Sequence, residues 1–71
     1  MKTEIAQEIS TQMTGILAQL NSSIEFAMEN CTDSEFHAFR MGVGRVMGAL
    51  VLDVLNPLYE SNPEVRPPNF E

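Results

Sequence analysis

The sequence predicts an all-α fold: an antiparallel hairpin of two long helices with an extended, proline-rich C-terminal tail, two hairpins associating into a four-helix bundle. Three observations predict it. Apolar residues recur at spacings of three and four through residues 4–29 and again through residues 33–55, the repeat of a helix with one buried face. Only one short break, Asn30-Cys31-Thr32-Asp33-Ser34, separates the two runs, so the helices should be antiparallel neighbours. Each helix also carries a wide apolar stripe, and one hairpin buries one face of each helix and leaves the rest exposed.

The first helix is expected over about 4–29. Ile5, Ile9, Met13, Ile16, Leu20 and Ala27 form its seam, and Leu17, Ile24 and Met28 widen it. Thr3 is the expected N-cap, with Glu4 and Glu8 near the positive end of the helix dipole. Gln7, Gln12, Gln19 and Glu25 cover the other side. Gly15 and Asn21-Ser22-Ser23 are its weak points. Phe26 falls partly off the stripe, where it faces a second subunit or covers the loop.

Thr32 followed three residues later by Glu35 matches a capping box, the clearest local signal in the chain. Cys31 stands where a hydrophobic staple residue belongs, opposite Phe36. The second helix is expected over about 33–55, with Phe36, Phe39, Val43, Val46 or Met47, Leu50 and Val54 as its seam. Asn56-Pro57 should end or kink it, because the residue before proline is pushed out of the α region. A short turn then follows at 57–60, bringing Leu58 and Tyr59 into contact. The hairpin domain is thus 1–61. Residues 62–71, with Pro63, Pro67 and Pro68, form the extended tail, and Val65 and Phe70 are its candidate anchors.

The most apolar stretch, Met41–Leu55, holds Gly42, Gly44 and Gly48. Each glycine costs about 0.8–1 kcal/mol relative to alanine inside a helix. Close packing against another helix is the expected compensation, since Gly44 and Gly48 are four apart on one face. The expected packing or dimer interface is therefore Gly44 and Gly48 with Val43, Met47, Leu50, Val51 and Val54. Arg45 and Asp53 are a candidate ion pair across an antiparallel partner helix; the alternative is that both lie on the outer face. Arg40 and Arg45 on one side and Asn56-Pro57 on the other bound the run, which is shorter than the about 20 residues a membrane-spanning helix needs. No signal peptide is expected, because acidic residues stand where an apolar stretch should begin.

A chain of 71 residues makes one domain and buries a small core. Its single cysteine permits no internal disulfide and fits a reducing compartment, so the expected location is the cytoplasm. Oligomerisation is then the expected stabiliser. A net charge of −6 argues against nucleic acid and anionic membranes as partners.

Candidate chemistry is sparse. Cys31 and His37 lack an evident pocket or converging geometry for a nucleophile and base. Asp33 and His37, four apart with Cys31 nearby, form at most part of a metal site completed across a dimer. Met13, Met28, Met41 and Met47 read as core filling or as an adaptable groove. No cofactor and no catalytic role are expected. The leading functional reading is a small homodimeric module that binds another protein. A second is a small-ligand or metal protein with its site at the dimer interface near Cys31, Asp33 and His37. A third is an acidic mimic of nucleic acid, for which Glu4, Glu8, Glu25 and Glu29 are poorly spaced because they cluster at the ends of one helix.

Overall fold

The computed structural model describes residues 1–70, all of whose regular elements are helical. Helix α1 runs over Thr3–Asn30 and helix α2 over Asp33–Leu50, followed by a π-helical turn at Val51–Leu55 and helix α3 over Asn56–Ser61. A 3₁₀ turn at Pro63–Val65 leads into the last residues. The hairpin is elongated, 45 × 18 × 16 Å. One end is closed by the loop at Cys31-Thr32, and the open end joins the start of α1 to α3 and the tail.

Helix α1 starts one residue earlier than its cap signal implied. Lys2 is the N-cap, in extended conformation and without a side-chain cap. Thr3 lies inside the helix, and its hydroxyl donates to Glu64 Oε2 at 2.9 Å, which ties the tail to the start of α1. That bond and the backbone around Glu64 hold its carboxyl below the usual range, the backbone contribution being the larger. The inward line of α1 is also rotated from the expected seam. Ala6, Ser10 and Ala27 are buried, with Ile9, Met13 and Leu17 packed beside the core, whereas Ile5 and Ile16 point out. Ser10 is inward because its hydroxyl shares a 2.6 Å hydrogen bond with the Tyr59 hydroxyl, so both polar groups are satisfied in a buried place.

The capping box at the start of α2 is complete. The Glu35 amide donates to the Thr32 hydroxyl at 3.3 Å, and the Thr32 amide donates to the Glu35 carboxylate at 2.9 Å. Those bonds, the backbone one first, hold the Glu35 carboxyl below the usual range. Because the folded pKa is depressed, the benefit is present at neutral pH and is lost as pH falls through the lowered value. Thr32→Ala is expected to lower stability by about 1 kcal/mol. Glu35→Gln is expected to flatten the acid limb of the stability curve. Urea titrations of each variant at pH 7 and pH 3 check both effects. Cys31 is exposed.

The largest departure is at Pro57. The helix was expected to stop or kink before it, but the chain continues helically through it to Ser61, and Asn56 itself is αR with φ −59° and ψ −49°. The π turn is what admits the proline. The Asn56 amide reaches back five residues to the Val51 carbonyl, opening the turn just where a proline ring would meet the carbonyl four residues behind it. Leu52 and Asp53 are exposed, so water can serve a carbonyl left without a donor.

The same turn resets the register. Met47, Leu50 and Val51 face inward, and the next inward residue is Leu55, five after Leu50. A regular α-helix would carry Leu55 about 140° past Leu50 and off the core. One extra residue in the turn absorbs that step. Leu55 is then fully buried, followed by Leu58, Tyr59 and Asn62, while Val54, expected in the seam, is 40% exposed.

The tail is not extended at its start: Pro63–Val65 makes a 3₁₀ turn that buries Val65. Asn62 is buried, its side-chain amide donating to the Leu58 carbonyl at 3.1 Å. Phe70 packs edge-on to Tyr59 with ring centroids 4.8 Å apart, and Arg66 donates to the Phe70 carbonyl at 2.8 Å. Ala6, Leu55, Leu58, Tyr59 and Val65 thus form one core at the open end of the hairpin.

Candidate functional site

With the core gathered at the open end, the rest of the hairpin is a single layer of two helices. No residue of α2, Asp33–Leu50, is buried. Large apolar side chains stand in solvent along both helices, and helical phase sorts them.

On α1, Ile5 and Ile16 are eleven residues apart, three turns, and share one stripe. That stripe lies behind the inward line of Ala6, Met13 and Leu17 in the helical rotation. On α2, Phe39 and Val46 are seven apart and share a stripe behind the inward line of Phe36, Val43 and Met47. The two helices face each other and run in opposite directions, so their senses of rotation mirror one another. Flanks that lag the inward line on both helices therefore fall on the same face of the hairpin. Ile5, Ile16, Phe39 and Val46 make one apolar face, and they are 50%, 43%, 42% and 54% exposed. At the open end the face continues into a hollow of about 400 Å³ whose lining includes Met1, Ile9, Asp53, Val54, Pro57 and Asn62. Gln12, Gln19, Ser23 and Gly42 lie between or beside these stripes, and none is charged. By the same phase Glu35 lies toward the loop end of this face, and Asp53, in the π turn, lies within it at the hollow.

The opposite face differs in chemistry and in cover. Near the loop end it carries a shallow hollow of about 380 Å³ lined by Ile24, Arg40, Met41, Gly44 and Arg45. A Cβ on Gly44 or Gly48 would meet nothing within 4 Å, so no helix of the same chain approaches them. At the open end this face is covered: Ser10 and Thr3, on the leading flank of α1, meet Tyr59 and Glu64. Of the remaining expected interface residues, only Val54 is exposed. Val43, Met47, Leu50 and Val51 are half-buried along the line facing α1. Arg45 and Asp53 are exposed.

The other candidates do not assemble into a reactive centre. Cys31, Asp33 and His37 are all exposed, and the described residues contain no group of three or more His, Cys, Asp or Glu side chains placed to hold a metal ion. The four methionines do not line one groove: Met13 and Met47 lie in the hairpin seam, and Met28 and Met41 are exposed. Glu4, Glu8, Glu25 and Glu29 are exposed at the two ends of α1. Among the described residues no helix is long and apolar enough to cross a membrane. Sequence reasoning missed Ile5 and Ile16 as surface residues, and the signal that could have found them is the parallel recurrence of Ala6, Ser10, Met13 and Leu17 one step further round. In comparisons with protein families, curated proteins and solved structures, the chain matches none.

Proposed function

We propose that the protein is a non-catalytic interaction module that works as a homodimer, two hairpins packing layer on layer into a four-helix bundle. One observation carries this reading: α2 has an apolar middle, yet none of its residues is buried within the chain. A two-helix layer leaves half of each apolar stripe in water, and a second layer is the simplest cover. Size supports it as well. A chain of 71 residues with no disulfide gains most of its missing core from a partner subunit. Gly44 and Gly48 remain close-packing positions in this reading. Since nothing in the chain approaches them, any helix they admit belongs to another molecule.

Sedimentation equilibrium at micromolar concentration tests the dimer. The expected mass is twice 7.9 kDa. A single 7.9 kDa species across the concentration range would remove the proposal.

A further inference from the structure

We infer that the hollow beside the π turn is a binding site for a primary alkylammonium group, with the charged end on Asp53 and Asn62 and the carbon stem along Ile9, Val54, Pro57 and Leu58. The inference goes beyond the homodimer reading and does not rest on it, since the close-packing glycines of that reading lie on the other flank. A free amine and the lysine side chain of another protein both carry this group, and the experiment below separates them.

The polar lining sets the class of ligand. The hollow of about 400 Å³ has one carboxylate, Asp53, and no lysine or arginine in its lining. Asn62 is only 3% exposed, and its side-chain nitrogen donates to the Leu58 carbonyl at 3.1 Å. Its side-chain oxygen accepts no hydrogen bond from the described residues, yet none of their buried side-chain nitrogens and oxygens lacks a partner. That oxygen therefore keeps some open surface, and the hollow is the space Asn62 borders. The π turn adds a third acceptor. The Asn56 amide is committed to the Val51 carbonyl and Pro57 has no amide, so the Leu52 carbonyl, next to the Pro57 ring, receives no donor from the following turn.

An ammonium group has three donors and no acceptor, the complement of such a lining. An anion would meet the Asp53 charge with no cation to hold it. A neutral apolar molecule would cut the Asp53 and Asn62 oxygens off from water without replacing the bonds. The net charge of −6 further draws cations to the chain. The apolar walls supply the rest of the fit: an aliphatic stem lies along such a surface while its charged head stays at the polar edge. A volume of about 400 Å³ is in the range of small-molecule sites.

Titration of the isotope-labelled chain with n-pentylammonium chloride, read by amide chemical shifts, tests the site. A ligand of this size should bind with a Kd of about 1–10 mM, within reach of a titration to about 50 mM. Saturable shifts are expected at Ile9, Val54, Leu58 and Asn62. The uncharged analogue 1-pentanol should bind at least about fivefold more weakly, the share expected of an exposed, hydrogen-bonded charge pair. Asp53→Asn should weaken pentylammonium by a similar factor and leave pentanol unchanged. Asp53 is exposed, so the variant should keep the helical circular dichroism and melt of the parent chain. Nα-acetyl-lysine N-methylamide distinguishes the sources. Binding as tight as that of pentylammonium supports the site as a receptor for a partner's lysine, and weaker binding supports it as a site for a free amine. Equal affinities for pentanol and pentylammonium, an unchanged pentylammonium affinity in Asp53→Asn, or no saturable shift at these amides by the end of the titration would each overturn the inference.

Discussion

Leu55→Ala is expected to cost about 2–5 kcal/mol, the range for removing a fully buried leucine and leaving a cavity. Among the described residues Leu55 is the only large side chain wholly excluded from solvent, and it sits among Ala6, Leu58, Tyr59 and Val65, the cluster that joins α1 to α3 and the tail. A small domain has about 5–15 kcal/mol of stability in total, so this one change takes a large share. The melting temperature should fall by about 10 °C or more. The matched control is Leu52→Ala, three residues earlier and 66% exposed, where the change should stay within about 0.5 kcal/mol. The contrast tests the register set by the π turn as well as burial. Were the helix regular through this region, Val54 would face the core and Leu55 would turn away, and Val54→Ala would be the costly change. Thermal melts of the three variants at one protein concentration decide between the registers.

How much of this was legible in the sequence depends on the range over which each signal acts. The Thr32–Glu35 cap was readable because both partners lie within one turn of each other, and the structure forms it as written. The two helices and their short connection were readable from periodicity alone. The C-terminal half of the core was not, because two rules opposed each other there. Pro57 reads as a stop, and the five-residue step from Leu50 to Leu55 breaks a period of 3.6, so both signals argue for an end. In the folded chain they resolve each other, since a wide turn removes the proline clash and restores the phase. The recurrence of Leu55, Leu58, Tyr59 and Asn62 carried that information, but only for a reader willing to shift register. Ser10 was invisible for another reason: its partner, Tyr59, is 49 residues away, and a buried serine has no local mark. The outward faces of Ile5 and Ile16 were misassigned because large apolar residues draw the seam toward themselves, whereas the tail and α3 decide which side of α1 is covered.

The π turn makes a sharper prediction about chain length, in which an insertion and a deletion differ in kind. One alanine inserted between Gly48 and Ala49, inside regular helix, rotates all that follows by about 100°. Leu55, Leu58, Tyr59 and Asn62 would leave the core together, and the tail contact of Phe70 with Tyr59 would go with them. That loss exceeds any single substitution, and the variant is expected to lose its cooperative melt. Deleting Asp53 removes the extra residue of the π turn instead. The segment can then close to a regular α-helix with Leu55 and Leu58 still facing inward, because the turn had offset the phase by one residue. What remains is the proline: in a regular helix its ring meets the carbonyl four residues back, at a cost of about 3 kcal/mol. Deletion of Asp53 alone should therefore destabilise by about that amount, and deletion combined with Pro57→Ala should recover most of it. Pro57→Ala by itself should change little, since the wide turn already admits the ring. Guanidinium melts of the insertion, the deletion and the deletion with Pro57→Ala test this ordering. If the double change fails to recover stability, the π turn serves some purpose other than accommodating the proline and resetting the core.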